Sequence, residues 1–273
     1  MPYLADPFFA EIVRVLELRC ISAGFSPSLF SAHGDRALEI DIMDSLRSIK
    51  PAGVLFAPLG RESDKAAIEA FCRDVPTVLF DSNIEGMGEA FIGSDNYSFV
   101  AQTVEYLTRT GGAPCFLEMR NPANPNANKR REAYISIMER LQLEPHIIRI
   151  EGKGWAFEEI SHQGTLKLLE EDALPADTIL CSNDRLAIGF LSACYEKGIR
   201  VGRNEDCQLR VASHDGHPFS GFTCPSLTTA AHDYTAVSEH AVETLFQLIE
   251  NGGRFSQRKE KLFPAHLIMR DSA

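Results

Sequence analysis

Short apolar runs alternate with amphipathic stretches along most of this chain, and that rhythm constrains its fold more than any other feature. Residues 53–57, 77–80, 115–118, 147–150, 178–181, 209–213, 227–230 and 267–270 read as strands. Between them, 36–49, 64–73, 97–110, 130–143, 157–170, 184–197 and 234–250 carry apolar residues at helical spacing. The first helix is the clearest. Asp6 offers an N-cap, Pro7 suits the first helical position, and Phe9, Ile12, Val13, Leu16 and Cys20 form one stripe that stops at Gly24. Residues 28–31 read as a further short strand.

Nearly continuous apolar strands separated by helices imply parallel sheets covered on both faces, with right-handed crossovers. The expected fold class is α/β: two doubly wound parallel-sheet lobes with a ligand cleft between them. At 273 residues the chain has room for two such lobes. The pattern divides them as 1–111 plus 232–252 for an N-terminal lobe and 112–231 plus 253–273 for a C-terminal lobe. Open sheets of this kind bind ligands beyond the carboxyl ends of their strands. The polar and aromatic residues expected there are Asp6, Phe8, Phe9, Ser94, Asp95, Asn124, Asn126, Asn183, Asp184, His214 and Asp215. Such a set suits a polyhydroxylated ligand.

Composition removes several function classes. A formal net charge of −11 argues against a polyanion as direct partner, since gripping phosphates needs clustered Lys and Arg. No apolar run is long enough to span a bilayer, so no membrane partner is expected. The opening residues lack the basic flank and apolar stretch of a secretory signal, and the expected location is the cytoplasm. Seven scattered cysteines, never in a Cys-x-x-Cys pair, read as reduced core thiols.

Phosphate-loop, dinucleotide and nucleophile-elbow signatures are missing, and neither enzymatic activity nor a cofactor is expected. His214, Asp215 and His217 are too few and wrongly spaced to predict a metal site. Asn96-Tyr97-Ser98 has the form of a glycosylation sequon but reads more simply as the start of a capped helix.

Several stations resemble the lactose-repressor (LacI/GalR) family of bacterial transcription regulators, in order. Residues 6–12 resemble the family's first strand-to-helix turn, and Ile92-Gly93-Ser94-Asp95-Asn96 its Val-x-x-Asp-Asn segment. Arg130-Arg131-Glu132-Ala133-Tyr134 resembles its Arg-x-x-Gly-Phe, with Ala133 in place of the glycine. The strongest match is Ser182-Asn183-Asp184-Arg185-Leu186-Ala187-Ile188-Gly189 followed by Gly198-Ile199-Arg200-Val201. Ala212 to Asp215, Pro225 to Thr229 and Leu267 to Ser272 complete the series.

The resemblance implies a periplasmic binding protein-like fold and a ligand-sensing, dimerising core. A sugar or similar small polar effector would control DNA binding by favouring one conformation. The family's helix-turn-helix and hinge helix have no counterpart in these residues. Operator DNA would therefore be reached only through an N-terminal domain absent from this chain, and the chain is expected to be a piece of a longer regulator. A periplasmic sugar-binding protein of a transport system is the alternative.

Carried over residue by residue, the resemblance places Phe8 and Phe9 at a ligand-facing turn, one expected inward and one toward the ligand. Arg130 matches an effector-contacting arginine, while Asn183 and Asp215 match strand-end polar residues of the second lobe. Asp95 corresponds to an acidic residue of the first lobe, and Asp184 is expected to cap the following helix. Asn124 and Asn126 serve either as hydroxyl contacts or as turn formers. Trp155 falls near the family's ring-stacking aromatic or is a structural core residue.

Overall fold

The computed structural model describes residues 1–273, which divide into two compact units. The first comprises 1–94 and 233–263, the second 95–232 and 264–273.

In the first unit, β1 (Val54–Phe56), β2 (Thr77–Phe80), β3 (Ala90–Ser94) and β9 (Lys259–Phe263) form a parallel sheet in the order β1-β2-β3-β9. Its helices are α1 (Pro7–Ser22), α2 (Arg36–Ile49), α3 (Lys65–Asp74) and α8 (Tyr234–Glu250). Each starts on an aspartate that accepts backbone N–H bonds, Asp6, Asp35, Asp64 and Asp233. A cap of this kind contributes about 1 kcal/mol relative to alanine. One face of the sheet buries Phe56, Leu79 and Phe91 against Met43 of α2 and Ile68 and Phe71 of α3. The other receives α8, on which α1 packs. Gly53 permits that approach, because a Cβ there would stand 2.7 Å from Leu245 Cδ1.

The second unit holds a six-stranded sheet in the order β10-β8-β7-β6-β4-β5. Its strands are β4 (Cys115–Met119), β5 (Ile147–Ile150), β6 (Thr178–Cys181), β7 (Arg210–Asp215), β8 (Thr228–Ala231) and β10 (His266–Ile268). All pairs are parallel except β10 with β8. Alternation along the strands assigns the two faces. Phe116, Leu180 and Ala212 meet α4 (Asn96–Thr110) and α5 (Ala127–Arg140). Cys115, Leu117, Ile179, Cys181 and Val211 meet α6 (Phe157–Glu170) and α7 (Asp184–Glu196). Chain direction across this sheet reverses between β4 and β6, because β5 lies outside β4 while β6, β7 and β8 follow on its other side. Such a reversal opens a crevice at the strand ends where α/β sheets take their ligands.

Several expectations need correction. Residues 28–31 form no strand, although Ala32 N–H bonds Met1 O and Gly34 N–H bonds Pro2 O. Pro2 and Pro27 lack the N–H that a ladder requires. The lobe boundaries also differ. Helix α4 groups with the second unit because it packs on α5 and β8, and β9 groups with the first because it pairs with β3. All seven cysteines are unpaired thiols. No helix is long and apolar enough to cross a membrane.

Candidate functional site

The carboxyl ends of β4, β6, β7 and β8 bring a dense polar cluster together in the second unit. Arg130 lies in the first turns of α5, immediately after the β4 crossover, and is 2% exposed. Burying a guanidinium demands a partner for every nitrogen face, and each has one. Nε donates to Asn96 Oδ1 at 3.2 Å, Nη1 to the Ser182 carbonyl at 2.7 Å, and Nη2 contacts Asp215 Oδ1 at 2.6 Å. Asn96 opens α4, and its amide nitrogen lies 3.5 Å from Asn126 Oδ1. A single side chain therefore gathers the starts of α4 and α5 and the ends of β6 and β7.

Asp215 ends β7 with φ +117°, a conformation that costs a non-glycine residue about 1–3 kcal/mol. What holds it there is a second buried carboxylate. Asp184 Oδ1 accepts the hydroxyls of Ser213 and, at 2.7 Å, Thr229, while Oδ2 accepts the His217 backbone N–H at 2.8 Å. Asp184 thus ties down residues on both sides of Asp215. Gly216 completes the turn at φ +69°, where a Cβ would stand 2.3 Å from Ala231 Cβ. Backbone strain stored at such a position points to function.

Three imidazoles surround the pair. His232 Nε2 lies 3.4 Å from Asp215 Oδ1, with its ring against Phe99 at 4.4 Å. His217 Nε2 lies 3.8 Å from Asp215 Oδ2, beyond hydrogen-bond reach, and neither of its ring nitrogens has a hydrogen-bond partner. His214 is buried beside them. Burial pushes His214 down to about 3, with Arg130 adding to the effect, and burial also lowers His232. Burial alone would raise Asp215, but Arg130, helped by His232 and His217, holds it well below the usual carboxylate range. Burial raises Asp184 to about 6, the Asp215 charge adding to it and His217 and the two hydroxyls opposing it. The result is an ionised Arg130–Asp215 pair beside a His214 ring that is uncharged at neutral pH.

Of the residues picked from sequence, Arg130, Asp215 and Asn126 come together here, and Asn183 adjoins them. Asn183 caps α7 through Leu186 N–H at 2.8 Å. Asp184 was expected to be that cap; it is instead the first helical residue, its carboxylate turned to β7 and β8. Asn124 Oδ1 accepts the Asn126 N–H at 2.8 Å, a turn-forming bond. Asp95 caps α4 through Ser98 N–H at 3.1 Å. Trp155 is half-buried on the α6 side of the sheet, edge-on to Phe157 at 5.6 Å. In the first unit Phe9 is core, whereas Phe8 is half-buried between Phe9 and Tyr234. Sequence reasoning passed over Asn96 as a cluster member and His232 altogether. The strand-end rule applied to β8 would have found His232, which directly follows Ala231.

The sequence pattern of the periplasmic binding protein-like domain family matches residues 105–273. The HTH-type transcriptional repressor PurR of Pasteurella multocida is 24% identical over 245 residues, covering 89% of this chain and 71% of that protein. The lactose operon repressor of Escherichia coli is 26% identical over 263 residues, covering 96% and 69%. A LacI family transcriptional regulator from Enterococcus faecium, solved with bound ribose, superposes with a TM-score of 0.82 at 19% identity, covering 100% of this chain and 96% of that one. These relatives bear out the resemblance to LacI-type regulators drawn from the sequence.

Proposed function

The chain belongs to the periplasmic binding protein-like domain family, and from that premise we propose that it is the effector-sensing core of a LacI-type transcriptional regulator. The observation that carries this reading is the Arg130–Asp215 pair, buried at the strand ends where the second sheet reverses. Its effector is a sugar or similar small polar molecule, as in the ribose-bound relative. Arg130, Asp215, Asn126 and Asn183 are its proposed contacts, with Phe8, Asp95, Asn124 and Trp155 as further candidates. Binding shifts the population between conformations and breaks no bond. The protein acts in the cytoplasm as a homodimer, and operator DNA is held by a helix-turn-helix outside these residues. The repressor relatives lend no support to the transport alternative.

A thermal-shift screen against monosaccharides, polyols and nucleosides tests the reading, because a ligand of the native state raises the melting temperature as its concentration rises. The expected hit loses its effect in Arg130→Ala and Asp215→Ala. A hit indifferent to both substitutions would place the effector elsewhere.

A further inference from the structure

Glu118 occupies a core position. Alternation along β4 turns it to the same face as Phe116, and it is fully buried. An isolated carboxylate there would be costly, and two guanidiniums meet it. Arg149, its cross-strand partner on β5, brings Nε to 3.1 Å from Oε1, and Arg131 on α5 brings Nη1 to 3.5 Å from the same oxygen. From this convergence we infer that Glu118 holds Arg131 and Arg149 as a two-armed receptor for the carboxylate of a small molecule, a ligand site separate from the effector cluster.

The bonding differs from that of an ion pair made for stability. The strongest arginine–carboxylate geometry sets two N–H donors against two oxygens. The chain uses it elsewhere, where Nε and Nη2 of Arg185 meet Oε1 and Oε2 of Glu158 at 2.7 and 2.6 Å. At Glu118 both arginines reach one oxygen with one nitrogen each, and Oε2 is buried without a hydrogen-bond partner. Nη1 and Nη2 of Arg149 therefore remain open as a pair of donors, and so do Nε and Nη2 of Arg131. Side-chain exposures of 44% for Arg149 and 20% for Arg131 leave both pairs within reach of a small ligand, while the buried carboxylate fixes where they stand.

Charge selects the ligand class. Two guanidiniums against one carboxylate leave a single positive charge, which one further carboxylate neutralises, completing an alternation of positive and negative groups. A phosphate dianion would overshoot that balance and set its second charge near Glu118 and Glu151, the residue two beyond Arg149 that pairs with Arg120. The chain as a whole, at −11, repels an extended acidic partner, which favours a small molecule over an acidic protein surface. Successive residues on a helix point about 100° apart. Arg130 accordingly turns to the ends of β6 and β7, and Arg131 to β4 and β5, so that one helix serves two separate sites.

The test follows the nitrogen chemical shifts of the arginine Nε–H groups as acetate, the simplest carboxylate, is added at constant ionic strength maintained with chloride. Saturable shifts at Arg131 and Arg149 are expected, with half-saturation on the order of 1 mM. Arg200, an exposed arginine paired with Asp206, is the reference and should not respond. Arg149→Ala and Arg131→Ala should each weaken acetate binding about tenfold or more, because each removes one charge-assisted pair of donors. Arg149→Lys keeps the charge but not the planar fork and should weaken it as well. Each variant leaves Glu118 one arginine, and circular dichroism verifies the fold; Arg149, on the more open side, decides the matter should Arg131→Ala not fold.

Absence of a saturable shift at both arginines would overturn the inference, and so would acetate binding that survives Arg149→Ala undiminished. Inorganic phosphate should bind more weakly than acetate, and tighter phosphate binding would overturn the carboxylate assignment. The effector reading is tested separately, through Arg130 and Asp215.

Discussion

At the level of single residues, the buried cluster makes stability depend on pH in a direction that can be worked out. His214 is held at about 3, so between roughly pH 4 and 6.5 the unfolded chain binds a proton there that the folded chain refuses, and His232, also held below the ordinary imidazole value, acts in the same direction. Their contribution rises with pH across that window. Asp215, held low, adds stability that is lost only as pH falls through the carboxylate range and below. Asp184 works the other way: raised to about 6, it keeps its proton in the folded state while the unfolded chain has released one, so its contribution falls as pH rises from about 4 to 6. His214 alone offsets Asp184 across this range and His232 adds in the same direction, so wild type should lose stability on acidification from 6.5 toward 4. Urea unfolding across that series should show a steeper loss in Asp184→Asn and a shallower one in His214→Gln. A profile for Asp184→Asn no steeper than wild type would mean that Asp184 does not hold its proton. Of these groups, Arg130 and Asp215 were legible as family stations and strand ends. His232 was not, because the apolar run before it had been ended one residue early, and nothing in a linear sequence says that Asn96 reaches the same guanidinium as Ser182.

Helices and strands were legible to the extent that their own residues carry the signal. Capping aspartates before Pro7, Arg36 and Lys65 fix helix starts by a local hydrogen bond, and the starts read from sequence fall within one residue of the structure. Strand β9 escaped because Lys259, Glu260 and Lys261 are exposed; it is a strand only by its pairing with β3, a partner some 170 positions away in the chain. The same dependence on distant partners shows in helix packing. Gly189 reads as an unremarkable glycine inside α7, yet a Cβ there would stand 2.1 Å from the Glu158 carbonyl of α6. Helix propensity favours alanine over glycine by about 1 kcal/mol, so an exposed Gly→Ala change would stabilise. At this contact the obstacle is backbone, which cannot rotate away, and Gly189→Ala should instead destabilise by about 1–3 kcal/mol. Denaturant unfolding of that variant with an unchanged or raised midpoint would show that α6 and α7 are not so closely packed.

For the molecule as a whole, the chain's alternating rhythm announced the α/β class, and the bounds expected for the lobes differ from the compact units where the polypeptide crosses from one to the other. Sequence periodicity marks α4 as a helix but cannot tell which sheet it covers; that follows from its packing on α5 and β8. The net charge of −11 disfavours direct contact with polyphosphates and favours solubility over association. Solubility does not require every apolar side chain to be covered, and single exposed ones need no explanation. A run of them is different. Leu18 and Ile21, three residues apart on α1, are 58% and 57% exposed, and Phe25 and Leu29 continue the series at 38% and 45%. The effector core proposed above would pair with itself, and this strip, whose Phe25 stacks on Phe246, is an exposed apolar surface of the first unit that can be tested for a second copy. Light scattering at about 10–50 μM, a range in which a stable interface stays assembled, should give twice the 30.2 kDa chain mass. Ile21→Glu and Leu18→Glu would each bury a charge in that interface and should shift the mass toward one chain without lowering the melting temperature of the isolated fold. A wild type that scatters as a single chain would refute dimerisation, and variants that stay paired would place the interface on another surface.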